Sequence, residues 1–184
     1  MCSSDLTLSY GRAQEAAPDR RMMLIEPVVA EVRESAGLAA DASITWISAI
    51  ERGLTIDADP DQLFRVLLNL VRNAAQALEG RTRSDAATMQ IRITGRREGA
   101  VAIVEVSDTG PGVPARARDH LFEAFQTSGR PGGSGLGLAI AAELVRAHGG
   151  DIHLVEGTIG ATFRIVIPDR PVELLSIRNE RARA

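Results

Sequence analysis

The sequence predicts an α+β fold, a two-layer α/β sandwich in which a mixed sheet carries its helices on one face. Three observations point there. Short, β-branched-rich segments are interspersed with only a few helical ones and do not alternate with them one for one, which favours a sandwich over a doubly wound sheet. A length of 184 residues suits about one domain. The balance of 45% apolar and 24% charged residues is ordinary globular composition.

Taken in order, Leu6, Leu8 and Tyr10 precede the polar, proline-containing stretch from Gly11 to Arg21, which reads as a helix end running into a linker. Ile25 to Ala36 places Ile25, Val28, Val29 and Val32 at helical spacing, with Pro27 near the start, where proline is tolerated. Ser43 to Ile50 is a strand by its β-branched and aromatic content, and Gly53 leads into a second strand, Leu54 to Asp57. Asp59-Pro60 opens a helix: Asp59 can cap, Pro60 suits an early position, and Asp61 favours the positive helix end. Leu63, Val66, Leu67, Leu70, Ala74, Ala77 and Leu78 form its apolar face, and Gly80 ends it.

Arg81 to Ala87 is a polar connection. Met89 to Thr94 and Val101 to Val106 flank Arg97-Glu98-Gly99 as a hairpin. Asp108 to Pro114 is a turn-rich loop, followed by a short helical piece from Arg116 to Phe125 and a glycine-rich stretch to Ser134. Leu136 to His148 is a helix ended by Gly149-Gly150, and the turn Gly157 to Gly160 joins strands Ile152 to Val155 and Thr162 to Ile167.

Composition removes several chemistries. All 21 basic residues are Arg and none is Lys, so a Walker A loop, a protein-kinase strand lysine and Schiff-base catalysis are all excluded. The formal charge of −3 gives no reason to expect nucleic acid or an anionic membrane surface as partner. A single Cys, Cys2, forms neither an internal disulfide nor a cysteine zinc cluster, and His120, His148 and His153 are too scattered for an HExxH site. No apolar run approaches the roughly 20 residues of a membrane span.

Three elements can carry chemistry. Gly132 to Ile140 leads into a helix start, where glycines allow close backbone approach and unpaired N–H groups offer a phosphate site that needs no Lys; a merely flexible loop is the plain alternative. A Rossmann reading is disfavoured because no strand precedes these glycines. Asp108, at a strand end beside Gly110 and Gly112, can accept a hydrogen bond from an exocyclic amine such as that of adenine, or can bond its own backbone in an Asx turn. Asn69 and Asn73 lie at i and i+4 on one helix face, where their amide oxygens suit Mg²⁺ or simply form a solvated stripe, and Arg72 on the neighbouring face can reach a phosphate.

In this order and spacing the elements resemble the ATP-binding domain of sensor histidine kinases, in the GHKL superfamily that also includes DNA gyrase and the MutL repair proteins and has the Bergerat fold. Asn69 and Asn73 look like the N box, Asp108-Thr109-Gly110-Pro111-Gly112 the G1 box, and Leu121-Phe122-Glu123-Ala124-Phe125 the F box typical of the kinases. Gly133 to Leu138 resembles the G2 box and Gly157 to Phe163 the final glycine turn. The resemblance covers roughly residues 25–168. It implies residues 1–24 as the end of a dimerisation helix plus linker, 25–168 as the catalytic domain, and 169–184 as a tail.

It also implies roles. Asp108 would hold the adenine amine with Gly110, Gly112, Val113 and Thr162 around it; Asn73 would coordinate Mg²⁺ with Asn69 assisting at the phosphates; and the backbone of Gly133, Gly135, Leu136, Gly137 and Leu138 would hold the phosphates of ATP. Residues 115–134 would form a lid whose nearest cation is Arg130, where many relatives carry Lys. None of the three His resembles a phosphoacceptor, so the resemblance implies transfer of the γ-phosphate to a His on a dimerisation domain of a parent kinase, and a response regulator as the indirect partner. The expected compartment is the cytoplasm, whether or not the parent is anchored in an inner membrane. The alternatives are a GHKL-type ATPase, for which Asn69 stands where a water-activating glutamate is needed, and an anti-sigma-like protein-binding regulator.

Overall fold

The computed structural model describes residues 16–38, 43–79, 89–124 and 135–171. The elements run β1 (Arg21–Leu24), α1 (Glu26–Ser35), β2 (Thr45–Ile50), β3 (Thr55–Ala58), α2 (Pro60–Leu78), β4 (Gln90–Glu98), β5 (Val101–Asp108), α3 (Ala115–Arg118), α4 (Gly137–Ala147), β6 (Asp151–Leu154) and β7 (Thr162–Pro168). β2, β4, β5, β7 and β6 form a five-stranded sheet in that spatial order, and β1 pairs with β3 in a separate ribbon. β2 runs parallel to β4 and the other pairs are antiparallel, so the sheet is mixed as expected.

Alternation along the strands sorts the two faces of the sheet. Ile91 and Ile93 of β4, Ala102, Val104 and Val106 of β5, and Phe163, Ile165 and Ile167 of β7 are buried on one face, where α2 and α4 pack. The opposite face carries charged pairs beside apolar residues such as the buried Ile103: Glu105 accepts from Arg164 at 2.6 Å across the β5–β7 pair, and Arg96 lies 3.7 Å from the same carboxylate. The helices therefore cover one face only. Among the described residues no helix is long and apolar enough to cross a membrane.

α2 is the spine of the helical layer. Asp59 caps it, with Oδ1 accepting from the Asp61 and Gln62 amides at 3.0 and 3.1 Å, an arrangement that stabilises a helix by about 1 kcal/mol. Leu63, Val66, Leu67, Leu70, Val71, Ala74 and Leu78 are all buried along its inner side. α4 packs beside α2 with the opposite direction: its first residue, Gly137, approaches Asn69, while His148 at its far end meets Asp59.

Contacts of the folded unit reach past the expected bounds of 25 and 168 at both ends. Residues 21–24 form β1 in register with β3, Met23 opposite Ile56, so the folded unit begins before residue 25. A four-residue strand with three exposed side chains shows too little alternation to be read as one. At the other end Asp169 pairs with Arg97 at 2.6 Å and Arg170 with Asp57 at 3.0 Å, so the unit also extends past 168. The helical piece expected over 116–125 is shorter: α3 stops at Arg118, and reverse-turn bonds (His120 N–H to Ala117, Glu123 N–H to His120) carry the chain on. Residues 1–14 and 172–184 lie outside the described residues.

Candidate functional site

The strand end at Asp108, the middle and upper part of α2, and the start of α4 converge at one end of the molecule. Asp108 is buried, 6% exposed, and its backbone is locked into the sheet by its N–H donating to the Ala161 carbonyl at 2.9 Å. Its Oδ1 accepts from the Gly110 N–H at 2.7 Å, the Asx turn weighed above, and from the Ala161 N–H at 3.4 Å. The turn aims the carboxylate and fixes the loop that follows it. Thr109 secures the same loop to β4, donating its N–H to the Gln90 carbonyl at 3.1 Å and accepting the Gln90 N–H on Oγ1 at 3.0 Å.

Glycines are required here by close approach. Gly110 lies against α2, where a Cβ would come 3.2 Å from the Ala77 methyl. Gly112 and Gly160 both have left-handed φ, +75° and +72°, and interlock: a Cβ on Gly112 would lie 2.9 Å from the Gly160 oxygen, and one on Gly160 would lie 2.0 Å from the Asp108 oxygen. The turn before β7 thus seals one side of the Asp108 loop. Val113, half-buried, packs against the core at its rim.

Thr162, buried, directly follows Ala161, the residue bonded to Asp108. In register it faces Ser107, and strand alternation puts that pair on the face opposite to Asp108. Ala161, one residue earlier, supplies the N–H that meets the carboxylate.

Asn69 and Asn73 share the flank of α2 that turns toward α4, both half-buried. Asn69 Oδ1 would lie 3.5 Å from a Cβ on Gly137, so the amide faces the beginning of α4 across a residue with no side chain. Gly135 adopts φ +66° immediately before it. Leu136 stands at the N-cap position and supplies no side-chain cap, unlike Asp59 on α2. The first N–H groups of any α-helix lack intrahelical partners and carry the positive end of its dipole, so this start is suited to an anion. Leu138 packs partly into the core and anchors the first turn.

Arg72 is directed elsewhere. It lies on the outer side of α2, exposed, and donates to the Ser35 carbonyl at the end of α1 at 3.5 Å. Residues three positions from Asn69 and one from Asn73 diverge on a helix by 60° and 100°, and the latter dominates here. Arg130 and Gly133 lie outside the described residues.

The base of the expected lid is anchored aromatically. Phe122 meets Phe163 of β7 edge to face, ring centroids 6.3 Å apart and planes at 78°. The sequence alone does not specify that contact, although Leu121-Phe122 is an apolar pair flanked by His120 and Glu123. Beside it His120 Nδ1 lies 2.8 Å from Glu123, and the hydrogen bond and charge of that carboxylate raise the His120 pKa above its ordinary value. His148 is 1% exposed with both ring nitrogens engaged: Nδ1–H donates to the Leu144 carbonyl at 2.7 Å and Nε2 accepts the Asp59 N–H at 3.0 Å. His153 lies on the polar sheet face beside Asp151 at 3.2 Å.

The residues fit a magnesium nucleotide. Amide oxygens of Asn are hard ligands of the kind Mg²⁺ accepts alongside water and phosphate oxygen, and one of the pair faces the anion-binding helix start. A buried carboxylate beside a glycine-lined loop is suited to an amine donor on a flat ring.

Comparison with known proteins agrees with this geometry. Residues 58–171 match the family described as histidine kinase-, DNA gyrase B-, and HSP90-like ATPase. The chain is 38% identical over 165 residues to the sensory histidine kinase/phosphatase NtrB of Rhodobacter capsulatus, covering 85% of this chain and 46% of that protein. It is 43% identical over 119 residues to NtrB of Escherichia coli O157:H7, covering 61% of this chain and 33% of the relative. It thus spans less than half the length of these curated relatives. Among solved structures, the mycobacterial sensor histidine kinase MprB superposes with a TM-score of 0.69 at 25% identity, over 83% of this chain and 100% of that one. Full-length ShkA in complex with AMPPNP superposes with a TM-score of 0.68 at 32% identity, over 83% of this chain and 32% of that one.

Proposed function

The chain belongs to the histidine kinase-, DNA gyrase B-, and HSP90-like ATPase family, as an ATP-binding catalytic domain of the sensor histidine kinase kind, and from that premise we propose that it binds Mg·ATP and presents the γ-phosphate to a histidine on a separate phosphoacceptor domain. The observation that carries the reading is the juxtaposition of Asn69 with the side-chain-free start of α4, at the end of the molecule where Asp108 is buried.

Asp108 accepts the adenine amine, held in place by the Gly110 and Ala161 N–H groups that fix its Oδ1. The backbone from Gly135 to Leu138 receives the phosphates, which is how a chain with no Lys retains phosphate. Asn73, with Asn69 assisting, holds Mg²⁺, which when bound neutralises phosphate charge and orients the chain of phosphates. Catalysis by these residues is positioning and charge neutralisation, as in phosphoryl transfer generally.

The acceptor is not one of this chain's own histidines. His148 has neither nitrogen to offer, His153 is on the far sheet face, and His120 is paired with Glu123. A dimerisation/phosphoacceptor domain of a longer kinase is the direct partner, a response regulator the indirect one, and the cytoplasm the site of action.

The test supplies labelled ATP and Mg²⁺ to the chain together with the parent phosphoacceptor domain. Acid-labile, base-stable label on the acceptor alone is expected, and Asn73→Ala abolishes it while the fold survives. Label on this chain itself, or free phosphate as the main product, overturns the reading in favour of self-phosphorylation or a switch-type ATPase.

A further inference from the structure

The segment before β1 is tied to the end of the molecule opposite the nucleotide site. The Ala16 carbonyl accepts from Gln62 Nε2 at 2.8 Å, and the Asp19 N–H donates to Asp59 Oδ2 at 2.8 Å. Arg20 goes further. Its guanidinium donates to three backbone carbonyls on three elements: Asp57 on β3 at 3.1 Å, His148 at the end of α4 at 2.6 Å, and Pro168 at the end of β7. It also lies 3.3 Å from the Asp57 carboxylate, and the side chains of this pair are only 10% and 5% exposed. Arg170 closes the arrangement, gripping Asp57 with its N–H and Nε at 2.9 and 3.0 Å and donating Nη2 to the Arg20 carbonyl at 2.6 Å.

Two of the groups held here are the far ends of the site-forming helices. Asp59 is the N-cap of α2, which carries Asn69 and Asn73, and His148 is the C-cap of α4, whose first turn carries Gly137 and Leu138. The two caps are joined directly by the Asp59 N–H to His148 Nε2 bond of 3.0 Å. Asn73 is about 21 Å along the helix from Asp59 at 1.5 Å per residue. A helix moves over that distance as a unit, so a displacement at the caps alters how α2 and α4 meet at Asn69 and Gly137.

We propose that residues 16–20 are a strap coupling whatever precedes this domain to nucleotide binding, with Arg20 as its positioning residue. The proposal rests on the nucleotide site assigned above. When the strap is seated, Arg20 neutralises the dipole end of α4 and satisfies three carbonyls at once; when it is pulled away, those three bonds and half of the Asp57 pairing are lost, and the Asp59 N–H to His148 Nε2 bond alone joins the two caps. Only a planar fork serves three acceptors at fixed angles, so Lys cannot replace Arg here. Coupling is reciprocal: if the seated strap favours nucleotide, nucleotide must favour the seated strap.

The experiment measures both directions on the full chain with a non-hydrolysable ATP analogue and Mg²⁺. Amide hydrogen exchange at Asp19, whose N–H enters the strap's bond to Asp59, is expected to slow about fivefold or more when the analogue is bound. In Arg20→Lys, which keeps the charge and loses the fork, analogue affinity is expected to fall by a comparable factor. Exchange at Asp19 that ignores the analogue overturns the strap, since a purely structural tie is protected equally in both states; an affinity within twofold of wild type in folded Arg20→Lys overturns it too. Should that variant fail to fold, Gln62→Met, which removes only the Ala16 anchor, takes its place with the same expected and opposing outcomes. A wild-type chain that binds no analogue overturns the nucleotide reading as well, whereas binding without linkage overturns the strap alone.

Discussion

Gly160→Ala gives the sharpest structural test of how the Asp108 loop is built. Gly160 has φ +72°, and a methyl there would come 2.0 Å from the Asp108 carbonyl oxygen, 2.8 Å from its carbon and 2.9 Å from Oδ1. The left-handed conformation alone costs an alanine about 1–2 kcal/mol. The overlap cannot be relieved by a rotamer change, because the Asp108 backbone is pinned by its own bond to the Ala161 carbonyl. Overpacking of that kind adds about 1–3 kcal/mol. Gly157 in the same turn is the control: its φ is +75° but nothing lies within 4 Å of an added methyl. Gly157→Ala therefore suffers the conformational cost only. Urea unfolding followed by the fluorescence of the single tryptophan, Trp46, compares the two variants directly. Gly160→Ala should be the less stable by about 1–3 kcal/mol. If the two agree to within about 0.5 kcal/mol, the ordinary scatter of surface substitutions, the close-approach argument is refuted.

Other outcomes follow from named contacts. Asp108→Asn keeps the shape of the loop and removes one acceptor; losing a hydrogen bond to a charged group of about 1.5–3 kcal/mol weakens a fluorescent ATP analogue roughly 10- to 150-fold, and wild-type affinity would remove Asp108 from the adenine slot. Asp57 has its pKa raised by burial, but the hydrogen bonds from Arg170 and the charge of Arg20 outweigh that and hold it below the usual 3.8. The stability it contributes is therefore complete above the unfolded value and is lost as pH falls through the lower folded one. Asp57→Asn should shrink the difference in unfolding free energy between pH 5 and pH 3, and an unchanged difference contradicts the assignment.

Much of the fold was legible because its period is strong. The apolar face of α2 and the cap Asp59 read directly, as did the β4–β5 hairpin around Gly99. β1 did not, since Arg21–Leu24 offers four residues whose only inward side chain is Met23. Asp108, Gly110, Asn69 and Asn73 stand out in the sequence as candidates because each is unusual for its position: a carboxylate at a strand end, a glycine in the loop after it, amides inside a helix. For Arg72, helical position constrains where a long side chain starts and leaves open which group it reaches, here the Ser35 carbonyl. For Thr162 the sequence leaves side-chain parity open across the turn before β7, where a single residue reverses the strand face. Arg20 was invisible as a functional residue, because its three carbonyl partners come from residues as far as 148 positions away.

Calorimetric titration of a non-hydrolysable ATP analogue, with and without Mg²⁺, into the wild-type chain and Asn73→Ala addresses the central claim most directly. The account predicts saturable one-to-one binding that Mg²⁺ strengthens in the wild type and leaves unaltered in Asn73→Ala. Absence of binding, or the same strengthening by Mg²⁺ in both proteins, would contradict it.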